Sequence, residues 1–84
     1  MEEVGKVEHY FGRIEVAAIK ITSGSLSVGD TLKFKGHTTD FEQQIESMQV
    51  ENESVESVTV GQHVGIKVSE KVRQGDSVFK VVPE

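Results

Sequence analysis

A short phrase, glycine then a polar residue, any residue and an aliphatic one, occurs three times in 84 residues. The copies are Gly29-Asp30-Thr31-Leu32, Gly61-Gln62-His63-Val64 and Gly75-Asp76-Ser77-Val78. Each leads into a β-rich run: Leu32-Lys33-Phe34, Val64-Gly65-Ile66-Lys67-Val68 and Val78-Phe79-Lys80-Val81-Val82. Glycine reaches φ > 0 without a Cβ clash, and Asp or Gln can hydrogen-bond the turn backbone. The phrase therefore predicts a tight turn handing over to a strand. Three such turns in so short a chain predict a small all-β domain, with residues 1–84 as a single unit.

A chain of this size buries only about 60–65% of its unfolded surface, so its stability margin is thin. It contains no cysteine, so neither a disulfide nor a thiolate metal site can support it. The core must stabilise the fold alone, and a closed barrel suits that need because closure removes exposed sheet edges. The start, Met1-Glu2-Glu3-Val4-Gly5-Lys6, is acidic and lacks an apolar h-region. No apolar run approaches the roughly 18 residues of a membrane span. These features lead us to expect a cytoplasmic protein with no membrane partner.

The net charge of −5 is unevenly placed. From Gly36 to Ile66 there is no Lys or Arg, while Asp40, Glu42, Glu46, Glu51, Glu53 and Glu56 fall in that stretch. General binding to a phosphate backbone needs clustered cations, which this stretch cannot supply. A local basic face elsewhere is still compatible with RNA.

Along the chain, Val4 to Tyr10 reads as a first strand and Tyr10-Phe11-Gly12-Arg13 as a bend. Ile14 and Val16 share one parity, and Ile19 and Ile21 the other. A strand of strict period two cannot keep both pairs on one face. This predicts a β-bulge near Ala17-Ala18 or a strand covered on both sides. Ser23 to Asp30 reads as a connection, and Thr31 to Lys35 as a half-buried strand. Gly36 to Asp40 is a loop, followed by a polar strand from Phe41 to Val50. Glu51 to Thr59 reads as a loop with a short strand, although Val55 and Val58 would also permit a helical turn. Val64 to Val68 and Val78 to Val82 are strands, with Pro83 beyond. Leu32, Phe34, Val64, Ile66 and Val78 are the expected core. About six strands with Gly-containing turns predict a small closed antiparallel β-barrel.

In order and spacing, these residues resemble the second domain of translational GTPases such as elongation factor Tu. The resemblance is carried by Gly5-x-Val7, Gly12, Ile14–Ile21 and Leu26-Ser27-Val28-Gly29-Asp30-Thr31-Leu32. Further along, Glu46-Ser47-Met48, Val58-x-x-Gly61-x-x-Val64-Gly65-Ile66 and Val72-Arg73-Gln74-Gly75-Asp76 extend it. It implies a Greek-key-type barrel of the translation-factor domain 2 type. The same barrel is appended to collagenase-like peptidases, and Gly36-His37-Thr38-Thr39-Asp40-Phe41-Glu42-Gln43 resembles that branch. The phosphate-cradling motif Gly-x4-Gly-Lys-Ser/Thr of a GTPase is absent from these 84 residues. The chain by itself is therefore not expected to bind nucleotide, and no cofactor is expected.

Two classes of function follow as expectations. The resemblance implies a non-catalytic module contacting tRNA, the ribosome or a translation factor. Its candidate residues are His9, Tyr10, Arg13, Lys20, Lys33, Lys35, His37, Thr38 and Thr39. At the Tyr10-Phe11 bend, His9, Tyr10 and Arg13 could form a base-stacking platform, or one of the two aromatics could plug the barrel end while the other lies on its rim. Lys33 and Lys35 share an outer face, and Lys20 joins them if the intervening segment folds its neighbours into a hairpin. His37 to Thr39 lie where the resemblance places a pocket for the tRNA 3′ end. The alternative is a protein-interaction module docking a larger peptidase-like or GTPase protein through Asp40, Glu42, Glu46, Glu51 and Glu53. The three histidines lack metal-ligand spacing, and no nucleophile motif is present. Catalysis is not expected.

Overall fold

The computed structural model describes residues 2–81, which form ten strands. These are β1 (Glu2–Phe11), β2 (Val16–Ile21), β3 (Ser25–Ser27), β4 (Thr31–Lys35), β5 (Asp40–Gln44), β6 (Met48–Val50), β7 (Glu53–Val55), β8 (Ser57–Thr59), β9 (His63–Lys67) and β10 (Ser77–Val81). Val82 and Pro83 lie outside the described residues. Eight strands make one antiparallel sheet in the order β5-β4-β10-β1-β2-β9-β6-β7, while β3 and β8 pair separately. The ladder ends at β5 and β7, so closure of the sheet into a barrel is not detected.

The three glycine phrases make three copies of one turn. In Ser27-Val28-Gly29-Asp30, Thr59-Val60-Gly61-Gln62 and Arg73-Gln74-Gly75-Asp76, glycine is the third residue, with φ of 98°, 91° and 92°. The fourth residue donates its N–H to the carbonyl of the first, at 3.0, 3.2 and 3.1 Å. Its side-chain oxygen accepts the N–H of the first, at 2.8, 2.8 and 2.9 Å. A positive φ at the third position is the signature of a type II turn. The clamp of Asp or Gln onto the backbone explains the polar residue after each glycine. Gly61→Ala should therefore cost about 1–2 kcal/mol, because an L side chain is strained in that region. Urea unfolding would read this, and an unchanged midpoint would refute the turn assignment.

β2 alternates without interruption. Ala17, Ile19 and Ile21 are buried, whereas Val16 and Ala18 are half-buried on the other face. The expected bulge near the alanines is absent from β2, whose pairing with β9 is continuous. The register shift lies opposite, in β1 between Val7 and His9. The parity conflict is resolved differently: Ile14 is in the turn before β2, 61% exposed, and does not join the core.

Other boundaries also differ from expectation. The polar run Phe41–Val50 is two strands, β5 and β6, because buried Ile45 lies in a break between them. The connection Ser23–Asp30 contains β3, and Glu51–Thr59 contains β7 and β8. Val50↔Glu53 pairing leaves Glu51 and Asn52 as a two-residue hairpin turn, both at positive φ, as a type I′ turn requires.

All five expected core residues are buried. Val4, Val7, Leu26, Ile45, Met48, Val58, Val68 and Val72 join them and the inward side chains of β2. Leu26 and Val58 pair across the β3–β8 ribbon, which adds its buried face to this core. On β5, Gln43 supplies what a ladder partner would: its Nε2 donates to Lys67 O at 2.8 Å and its Oε1 accepts Ser69 N–H at 2.7 Å. The edge strand is thereby tied to the end of β9.

Candidate functional site

The outer face of β1, β2, β9 and β6 carries an apolar groove. Phe11 and Ile14 stand at the β1–β2 turn, 46% and 61% exposed. Val16 and Ala18 continue the wall and floor along β2, beside Gly65 of β9. The opposite side is Gln49 with the Glu51–Asn52 turn, and His63 closes one end. The floor lies close to the sheet backbone because Ala18 carries only a methyl group and Gly65 has no side chain. A Cβ on Gly65 would already approach Val16 Cγ1 to 3.3 Å.

Large apolar side chains left in water are a sign of a binding face when they are contiguous. Two further exposed aliphatics, Val28 and Val60, have a local origin: each is the second residue of a glycine turn. Phe11 and Ile14 also belong to a turn, in which Ile14 N–H donates to Phe11 O at 3.3 Å, but with half-buried Val16 they form one contiguous apolar patch rather than isolated residues. The sequence signal for the groove was the parity conflict at Ile14 and Val16, which a core reading absorbed.

The candidate RNA-binding residues do not converge on one spot. His9 is exposed, its ring edge-on to Phe11 with centroids 4.6 Å apart. Tyr10 packs partly buried against the core, so one aromatic of the pair is inward and the other outward. Arg13 is exposed in the β1–β2 turn. His37 and Thr38 are exposed in the β4–β5 loop, whereas Thr39 is buried and is not offered at the surface. Lys33 is half-buried, with Nζ 3.7 Å from Asp40 Oδ1.

Lys20 is not beside the β4 lysines, because β2 and β4 are separated by β1 and β10. The pairing instead aligns Lys20, Lys6, Ser77 and Lys35 in a single row across four strands. Lys6 donates to Ser77 Oγ at 3.2 Å and lies 3.7 Å from Glu3. Acidic partners thus sit among these cations, and His63 is likewise engaged by Glu8.

The candidate protein-binding acids divide between the two ends of the ladder. Asp40 and Glu42 are on β5, and Glu51 and Glu53 are on the β6–β7 hairpin. Glu46 is in the linking segment. Of the five, Glu51 lines the groove. Among the described residues, no group of three or more His, Asp or Glu side chains is placed to hold a metal ion.

No family model matches the chain. It is 41% identical over 78 residues to two collagenases of Porphyromonas gingivalis, covering 92% of this chain and 22% or 19% of theirs. It is 36% identical over 78 residues to an uncharacterized protease of Methanocaldococcus jannaschii, covering 19% of it. The chain thus spans about a fifth of the length of these curated relatives. Two crystal structures of the C-terminal domain of a Geobacillus thermoleovorans protein assigned to the U32 peptidases superpose with TM-scores of 0.89 and 0.88. Both are 23% identical, and they cover 95% and 96% of this chain and 100% and 93% of theirs. The fold is therefore that of a domain appended to a larger protein, and the homology lies on the collagenase-like branch of the resemblance.

Proposed function

We propose that this chain is a non-catalytic docking module for a larger U32 peptidase-like protein, acting in the cytoplasm. It would hold the larger protease-like body to itself or to another component through the lysine-free acidic segment. The observation that carries this reading is the homology to one fifth of each relative: the matched unit is a separate domain beside a much larger remainder. An exposed apolar face on so small a domain supports it, because a free domain gains nothing from leaving Phe11 and Ile14 in water. The finer architecture we assign is a barrel of the translation-factor type, with the Gln43 side chain bridging the part of the ladder that lacks backbone pairs.

Affinity capture with the chain, followed by mass spectrometry, should recover one protease-like protein. Neutralising Glu46, Glu51 and Glu53 to Gln should release it at low salt, where exposed charges act most strongly. A complex that survives the triple change would count against docking through the acids.

A second reading is contact with RNA, favoured by the Lys20–Lys6–Ser77–Lys35 row. Lysines along one row could follow a phosphate backbone. The interspersed Glu3, Asp40 and Glu8 make this the weaker reading. Titration with labelled tRNA separates the two, since affinity reduced by Lys20→Glu with Lys35→Glu would favour RNA.

A further inference from the structure

We propose that the groove between the Phe11–Ile14 turn and the Glu51–Asn52 turn receives an extended segment of the protease-like partner. That segment carries a large aliphatic or aromatic side chain next to a lysine or arginine. The inference rests on the docking reading above and adds where the contact is made and what chemistry makes it.

Shape selects the anchor. Phe11, Ile14 and Val16 present a continuous apolar wall over a floor of Ala18 and Gly65. The groove holds about 410 Å³, room for two or three side chains. A large apolar side chain would remove this wall from water, and small floor residues let a strand backbone approach closely.

Charge selects the neighbour of the anchor. The formally charged carboxylate on the lining is Glu51, which has no ion-pair partner among the described residues. The other titratable lining group, His63, is already engaged by Glu8. No lysine or arginine occurs between Gly36 and Ile66 to compensate Glu51 from its own hairpin. At the other end, Lys67 pairs in register with Val16 and faces the same side. The cation of the segment therefore belongs over Glu51, with a neutral or acidic residue towards Lys67. This polarity gives the segment one orientation.

Backbone strain marks the same place. Among the described residues, the non-glycine residues at positive φ are Glu15, Glu51 and Asn52, at 55°, 51° and 66°. They fall in the two turns that frame the groove. Glu15 is pinned there because its carbonyl accepts Val68 N–H at 2.9 Å. Asparagine tolerates such a conformation, whereas glutamate does so less readily. A charged residue kept at a strained position that asparagine or glycine would suit better points to a use for its charge.

The test combines a cross-link with two substitutions in the 84-residue chain. Ile14→benzoylphenylalanine should cross-link to the captured protease-like protein at a segment with an apolar residue beside Lys or Arg. The same probe at Val60, exposed outside the groove, should not. Glu51→Asn removes the charge while suiting the turn, and Ala18→Leu fills the floor. Each should lower capture about tenfold or more with no loss of melting temperature. If the chain captures its partner but Ile14 fails to cross-link, or Glu51→Asn has no effect, the groove inference is overturned and docking stands. If no protease-like protein is captured at all, both fall. Should Ala18→Leu fail to fold, Glu51→Asn and the cross-link still decide.

Discussion

Phe34→Ala should remove about 3–5 kcal/mol of folding free energy, the range for emptying a fully buried aromatic site. Phe34 is 0% exposed. On its strand β4 it pairs with Val78 of β10 on one side and Phe41 of β5 on the other. Its ring stacks on Phe41 with centroids 5.0 Å apart and planes 12° apart, and stacked pairs add to simple burial. Removing the ring opens a cavity that three adjacent strands cannot close together without breaking their ladders. A domain of this size has only about 5 kcal/mol to spare, so the variant should be largely unfolded at room temperature. Urea unfolding followed by circular dichroism would read the change. A loss below about 1 kcal/mol would show that Phe34 is not the centre of the core.

Gly5→Ala should be nearly as damaging, at about 3 kcal/mol, the upper end of ordinary overpacking. Gly5 is buried in β1, at the register shift against β10. A Cβ there would overlap the backbone carbonyl oxygen of Lys20 and come within 3.1 Å of Ile19 Cγ2. A flexible side-chain tip could move aside, but a carbonyl inside the β1–β2 ladder cannot without breaking it. The cause differs from Gly61→Ala, where space is open and the penalty is conformational. Thermal unfolding of both variants would separate the two. Gly5→Ala should lower the midpoint more, and equal midpoints would mean that β1 can shift away from β2.

Much of the scaffold was legible because it depends on short-range chemistry. The turn at Gly61 needs only a residue free to adopt φ > 0 and a side chain that can reach back three positions. The β4 strand, Thr31–Lys35, needs only strict alternation. Long-range pairing was not legible in the same way. Leu26 and Val58 are 32 positions apart, and nothing local says that β3 will find β8. The placement of Lys20 failed for the same reason: adjacency along the chain suggested a hairpin, whereas β1 and β10 fill the space between β2 and β4.

The groove was only half legible. Ile14 and Val16 stood out as a parity conflict, and burial was the natural resolution because most aliphatic side chains in a small domain are needed inside. In the folded chain the bulge falls in β1 instead, so β2 keeps its phase and the two residues stay outside. The division between the acidic candidates has the same origin. Asp40 and Glu51 lie in one charge-biased stretch, yet the order of strands sends them to opposite ends of the sheet.

What the sequence determined by itself, then, was an all-β domain punctuated by three equivalent glycine turns, with Leu32, Phe34, Val64, Ile66 and Val78 inside. Those features follow from backbone sterics, side-chain reach and period-two burial, which act over a few residues. Only the tertiary structure decided which strands are neighbours, where the register shifts, and therefore that Phe11, Ile14 and Val16 meet Gly65 and Glu51 on one open face. That outcome depends on which distant surfaces pack together, a choice made by the whole core at once.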